Sequence, residues 1–241
     1  MIGVIGAMPE ELAAMIEVVH AEEVIELGGR RYHRGDFAGE PVVCVVSRIG
    51  KVAAAATTAL LLERFAPRAI LMTGLAGAVD PRLAIGDIVV ADRLIQHDLD
   101  ARPRFARHEA PQLGVIELAC DPALSERLAA AAAAFVPPPS VVALGITAPR
   151  VWRGLVAWGD PFFASVAAVT ALRARFPEAL AVETEGAAVA QVCHEHGVPF
   201  AVARVISDTA DHGAAIDFAR FLAEASGPYA QALIAGALAP G

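Results

Sequence analysis

The sequence predicts an α/β domain, built on a largely parallel sheet with helices on both faces. Three observations carry that expectation. Short apolar runs alternate with helical stretches along the chain, the order that strand–helix–strand units produce. Hydrophobic residues make up 56% of the 241, with a mean hydropathy of +0.53. Yet no apolar run reaches the ~18 residues of a membrane span, so buried parallel strands and a sizeable subunit interface are expected to absorb the excess. The third observation is Leu180–Asp211, which reads as strand, helix, strand with carboxylates where each strand runs out.

In that stretch the apolar run Leu180–Val182 meets Glu183 and Glu185, alternate residues that share a face if the chain is still extended. Gly186, Ala187 and Ala188 open a helix with small side chains, which lets it lie close against a sheet. Gly197 ends the helix and Pro199 prevents its resumption. The strand Pro199–Ile206 then delivers Ser207 and Asp208. Ligands of open α/β sheets bind beyond the carboxyl ends of the strands. Two acidic strand ends, one helix apart, are therefore a candidate site.

The remaining elements follow in order. Ile2–Ile5 reads as a strand, and Pro9 starts a helix running to about His20. Glu10 and Glu11 fall in its first turn, where the dipole favours anions; either both are surface acids or one looks into a pocket. Tyr32–Phe37 and Pro41–Ile49 form a hairpin leading into a buried strand, followed by a helix over Lys51–Phe65 and a strand over Arg68–Thr73. Gly74–Ala78, GLAGA, is either an ordinary tight turn or a close backbone approach to a ligand. Asp87–Ala91 is a strand, and the polar loop from His97 to Pro111 is expected to be mobile over the pocket. His97, Asp98 and His108 match no standard metal-ligand spacing, so no metal is expected. Asp121 caps a helix over Ala123–Phe135 with Pro122 at its first position. Strands are expected over Val141–Leu144 and Gly154–Trp158, and helices over Ala164–Phe176 and from about Ile216 to Leu238. Phe162 and Phe163, just after a strand, either line a pocket or pack in the core. No domain boundary interrupts the alternation, so residues 1–241 are expected to form one domain.

A net charge of -8 argues against a nucleic-acid surface, which needs a basic patch. A neutral or cationic small molecule suits this chain better. Cys44, Cys120 and Cys193 are odd in number and lie in apolar segments, as packing thiols do. The N-terminus MIGVIGAM has no basic region and no signal-length apolar core, so a cytoplasmic protein without membrane attachment is expected. Neither GxGxxG nor GxxxxGK[ST] occurs, which removes the main support for a dinucleotide or nucleotide-triphosphate site. No cofactor is expected.

Seven short motifs resemble, in the same order, the 5′-methylthioadenosine/S-adenosylhomocysteine nucleosidases of the nucleoside phosphorylase superfamily. They are IGVIGAMPEEL at 2–12, SRIGKVAAA at 47–55, TGLAGA at 73–78, GDIVVAD at 86–92, WGDPFF at 158–163, VETEGAAVAQVC at 182–193 and ARVISDTAD at 203–211. The resemblance implies a three-layer α/β/α sandwich around a mixed, twisted sheet, a homodimer, and hydrolysis of a purine nucleoside by water. It implies Glu11 as the water-activating base and Asp208 as the acid at adenine N7, with Ser207 beside it. Glu185 would grip the ribose hydroxyls, with Glu183 and Thr184 next to it. Phe162 would stack on the purine, and the backbone near Phe163 would read its edge. Met8, Ile49 and Phe218 would contact the ribose and the 5′ substituent, while Leu75, Ala76 and Gly77 line the site. Arg204, in an otherwise apolar strand, is expected to pair with a carboxylate at the strand ends and orient it, because an unpaired buried guanidinium is costly.

These residue types suit the chemistry. Glycosidic cleavage leaves an oxocarbenium-like ribose and an anionic purine, so an acid at the purine and a base on water are both useful. Binding the diol holds the geometry. An aspartate acting as acid near neutrality needs a raised pKa in the complex. Three positions depart from the family pattern: Leu75 stands where Ser is common, Thr184 where Met is usual, and Arg48 where Gly is common. Three other readings follow: a phosphorylase using phosphate, a hydrolase of futalosine-type nucleosides, and a non-catalytic nucleoside sensor.

Overall fold

In the computed structural model of the chain the described residues are 1–161, 163, 165–209 and 214–239, the side chains of His20 and of 214–217 excepted. Chain order runs β1 (Ile2–Gly6), α1 (Pro9–Val18), β2 (His20–Leu27), β3 (Arg30–Phe37), β4 (Glu40–Val46), α2 (Lys51–Phe65), β5 (Ile70–Ala78), β6 (Ile88–Gln96) and β7 (Glu117–Ala119). It continues with α3 (Pro122–Ala133), α4 (Pro139–Val142), β8 (Val151–Trp158), α5 (Val166–Arg175), β9 (Ala179–Glu183), α6 (Gly186–His196), β10 (Phe200–Asp208), α7 (Ala214–Glu224) and α8 (Ser226–Leu238).

The sheet is mixed rather than largely parallel. β1 lies parallel to both β4 and β5, and β5 lies parallel to β10. β2, β3 and β4 form an antiparallel meander, its first turn made at Gly28 and Gly29 with positive φ at both. That geometry matches the right-handed twist of the flanking strands. Five strands close on themselves: β10 pairs with β6, β6 with β8, β8 with β9, and β9 returns to β5 through Gly77 opposite Val182. This closure gathers the ends of β5, β9 and β10 around one space.

Helices cover the sheet on two sides. Leu61 and Phe65 of α2 join Ala187, Val189 and Cys193 of α6 against Ile70, Met72 and Val202. Leu12 and Met15 of α1, Leu128 of α3 and Leu233 of α8 pack on the other face against Val4, Leu71 and Ala203. The alternation of Ile70, Leu71 and Met72 between those cores is the period-two signature of a strand buried on both faces. Cys44, Cys120 and Cys193 are free and buried. Among the described residues, no helix is long and apolar enough to cross a membrane.

Several elements differ from the sequence expectation. Residues 141–144 are not a strand: Val141 and Val142 close the short helix α4, which Pro139 starts at its first position. The last helix is two, α7 and α8, separated at Ala225. Gly74–Ala78 is neither turn nor loop but the second half of β5, paired along β10. The first helix stops at Val18, and β2 follows as an edge strand whose exposed Glu22, Glu23 and Glu26 obscure its pattern. Such charges are a usual guard on a sheet edge.

Candidate active site

A cavity of about 230 Å³ opens at the carboxyl ends of β1, β5, β9 and β10. Glu11, Glu183, Glu185, Ser207 and Asp208 contribute its polar wall, and Leu75, Ala76 and Gly77 of β5 its floor. Met8, Ile49, Phe163, Thr184 and Phe218 complete the sequence-predicted set that lines it. Phe162 lies outside the described residues. The loop from His97 to Pro111 contributes no lining residue among those described. It meets the rim through Asp98, which accepts from the Asp160 backbone N–H at 3.1 Å and lies 3.5 Å from Lys51 Nζ, and through His97, whose ring packs edge-on against Phe163 with centroids 5.3 Å apart.

Glu11 is held by its own helix start. Pro9 begins α1, and the Glu11 carboxylate reaches back to accept from Ala7 N–H at 2.6 Å and Met8 N–H at 3.0 Å. It thereby satisfies donors that a helix start leaves unpaired. Leu75 N–H donates to the other carboxylate oxygen at 3.1 Å, so β5 fixes the same group from across the cavity. Burial pushes the Glu11 pKa up to about 7, because desolvation outweighs the pull of Arg204 and the backbone donors. Of the two readings, the pocket one holds for Glu11, which is buried on the cavity wall, and only Glu10 remains a surface acid.

Glu183 and Glu185 do not act as a matched pair. The chain leaves the extended conformation after Glu183, and Glu185 takes the position before α6 with φ -132° and ψ -36°. Glu183 caps the helix: it accepts from Glu185 N–H at 2.9 Å and Gly186 N–H at 2.7 Å. It also pairs with Arg204, which rises from the middle of β10 beneath the site. Burial alone would lower the Arg204 pKa, but Glu183, Glu185 and Glu11 together hold the guanidinium above its ordinary value. Desolvation raises the Glu183 carboxyl against the attraction of Arg204. The Glu185 carboxylate instead accepts from Gly50 N–H at 2.9 Å, tying α6 to the start of α2.

The register of β10 against β5 shifts between Ile206 and Asp208, so one extra residue, Ser207, is accommodated there. Such a bulge re-aims side chains at a strand end, and both Ser207 and Asp208 line the cavity. The Ser207 hydroxyl donates to Asp208 Oδ2 at 2.9 Å. Gly77 lies so near that an added Cβ would stand 3.1 Å from Asp208 Oδ1.

The sequence reading overlooked Ala7, Asp160, Pro161 and Val182 as lining residues. Asp160 and Pro161 sit inside WGDPFF and could have been included from that motif; Ala7 and Val182 carry no chemical signal. The sequence marks Lys51 only as a helix start. Its ammonium pairs with Asp160 at 2.9 Å and lies over the Trp158 ring at 4.9 Å, anchoring the wall that carries Phe163.

Three glutamates and an aspartate thus share one cavity at the carboxyl ends of the strands, and the sequence model of the Phosphorylase superfamily matches residues 1–239. Within it, a curated 5′-methylthioadenosine/S-adenosylhomocysteine nucleosidase from Anoxybacillus flavithermus is 38% identical over 93% of this chain and 92% of its own. The solved nucleosidase of the same name from Neisseria meningitidis, in complex with methylthio-immucillin-A, is 34% identical with a TM-score of 0.87, covering 98% of this chain and 97% of that one. A futalosine hydrolase from Helicobacter pylori is 32% identical with a TM-score of 0.83, covering 98% and 96%. The chain belongs to the 5′-methylthioadenosine/S-adenosylhomocysteine nucleosidase family, whose members are N-glycosyl hydrolases.

Proposed function

We propose that the protein hydrolyses the N-glycosidic bond of 5′-methylthioadenosine and S-adenosylhomocysteine, releasing adenine, with Glu11 as general base and Asp208 as general acid. Water adds to the anomeric carbon as Glu11 takes its proton, and Asp208 delivers a proton to adenine N7 as the C–N bond breaks. The observation that carries this reading is Glu11: a buried carboxylate on the cavity wall whose pKa of about 7 suits proton transfer near neutrality. Glu185 holds the ribose diol, Ser207 supports Asp208, and Arg204 keeps Glu183 in place as the helix cap. The backbone near Phe163 reads the purine edge; Met8, Ile49 and Phe218 face the ribose and the 5′ substituent.

Phosphate is a poor nucleophile for this site. No Lys or Arg lines the cavity among the described residues, and Arg204 is already committed to Glu183. The carboxylates on the wall would repel an anion. The protein works in the cytoplasm as a homodimer, without membrane or nucleic-acid partners. In support of a partner subunit, Ile49 and Val52 leave 64% and 80% of their surfaces exposed beside the cavity rim, and light scattering should return twice the chain mass.

The decisive assay is adenine release from methylthioadenosine in phosphate-free buffer, repeated with S-adenosylhomocysteine, futalosine and added phosphate. Release from the first two substrates without phosphate is expected. Release only with phosphate would make the protein a phosphorylase, and release from futalosine alone would move the substrate assignment.

A further inference from the structure

Thr184 stands between Glu183 and Glu185, where β9 gives way to α6. Glu185 occupies the cap position of α6, yet its side chain makes no cap bond to its own helix. Glu183 takes over that duty through Glu185 N–H and Gly186 N–H. The Glu185 carboxylate is thereby released toward the cavity, and its orientation has to come from elsewhere.

Two donors converge on one of its oxygens. Gly50 N–H donates to Oε1 at 2.9 Å, and the Thr184 hydroxyl donates to the same atom at 2.5 Å. A carboxylate oxygen has two lone-pair directions, so both on Oε1 are taken. The second oxygen, Oε2, lies 3.8 Å from the Arg204 guanidinium, beyond hydrogen-bond distance. It keeps its acceptor capacity for something in the cavity that Glu185 and Thr184 both line. Because Thr184 is branched at Cβ, its hydroxyl swings through few rotamers and holds a well-defined direction.

We infer that Thr184 is a positioning residue: its hydroxyl locks the Glu185 carboxylate so that Oε2 is presented to the vicinal hydroxyls of a ribose. This rests on the nucleosidase reading above and adds the residue that sets the site's demand for a diol. Where a methionine occupies this position no hydroxyl is available for the task, so the device belongs to this chain's own side chain.

The test compares methylthioadenosine with its 2′-deoxy and 3′-deoxy analogues in wild type, Thr184→Val and Thr184→Ser. Valine keeps the shape and removes the donor; serine keeps the donor. The ratio of kcat/KM for the ribonucleoside over the deoxy analogues should fall about tenfold in Thr184→Val, the size expected for one hydrogen bond to a charged group, and return to within about twofold of wild type in Thr184→Ser. A simple packing role would lower both substrates alike and leave the ratio unmoved. An unchanged ratio in Thr184→Val, or a serine variant as impaired as the valine one, would overturn the inference. So would a wild-type enzyme that ignores the deoxy substitutions. Failure of wild type to release adenine from methylthioadenosine would instead overturn the nucleosidase reading, and that arm is run first.

Discussion

The Arg204 guanidinium and the Glu183 carboxylate form an ion pair in which each side chain is only 1% exposed. Glu183 also caps α6, so one carboxylate joins the middle of β10, the end of β9 and the start of a helix. Removing one partner of such a pair leaves a buried charge without compensation, at a cost of about 3–5 kcal/mol. Arg204→Met should therefore shift the urea unfolding midpoint far below that of wild type. A shift comparable to that of a surface substitution would show that the pair contributes nothing to the fold.

Glu11 sets a pH dependence with a definite sign. Its folded pKa, raised by burial to about 7, lies above the ordinary value of 4.5. The protonated carboxyl is the better tolerated form, so this group's contribution to stability is fully present below about pH 4.5 and is lost as pH rises through about 7. Relative to Glu11→Gln, wild type should lose stability between about pH 5 and about pH 8. Catalysis runs the opposite way, because the base must be ionised: kcat/KM should fall as pH drops below about 7. Thermal melts and pH–rate profiles on both proteins check the two halves separately.

Asp208→Asn should lower kcat on methylthioadenosine by about 10²–10⁴-fold, the usual worth of a positioned proton donor. The amide is nearly isosteric and can still accept from the Ser207 hydroxyl, which lies 2.9 Å from Oδ2. Unfolding temperature should stay close to wild type. Undiminished turnover would remove Asp208 from the mechanism.

Gly74 marks a place where no side chain fits. A Cβ there would collide with the Arg204 guanidinium and would come within 2.7 Å of Glu11 Oε1. Gly74→Ala should destabilise the fold by about 1–3 kcal/mol, the range for overpacking a tight interior. It should also depress kcat/KM by displacing Glu11, an outcome that denaturation and steady-state kinetics together would detect.

Much of this was legible in the residues. The helix over Lys51–Phe65, the Asp121 cap accepting from Leu124 N–H at 2.9 Å, and the Gly197 stop in the left-handed conformation are all local patterns, and local patterns survive folding. The carboxylates at strand ends were visible for the same reason: a strand's end can be seen from the chain itself. Local chemistry also misled where two states compete over a few residues, as at Val141–Leu144, where Pro139 favours a helix start.

Only the tertiary structure decided what depends on distant partners. GLAGA resembles a turn by composition and becomes strand because β10 lies beside it, with Arg204 and Glu11 filling the space a side chain would need. Glu183 and Glu185 look equivalent in sequence; Arg204, 21 residues from Glu183, and Gly50, 135 residues from Glu185, give them different tasks. Closure of β5, β10, β6, β8 and β9 into a ring was invisible for the same physical reason. Periodicity reports which face of an element is buried, whereas strand pairing and charge pairing are settled between segments far apart along the chain.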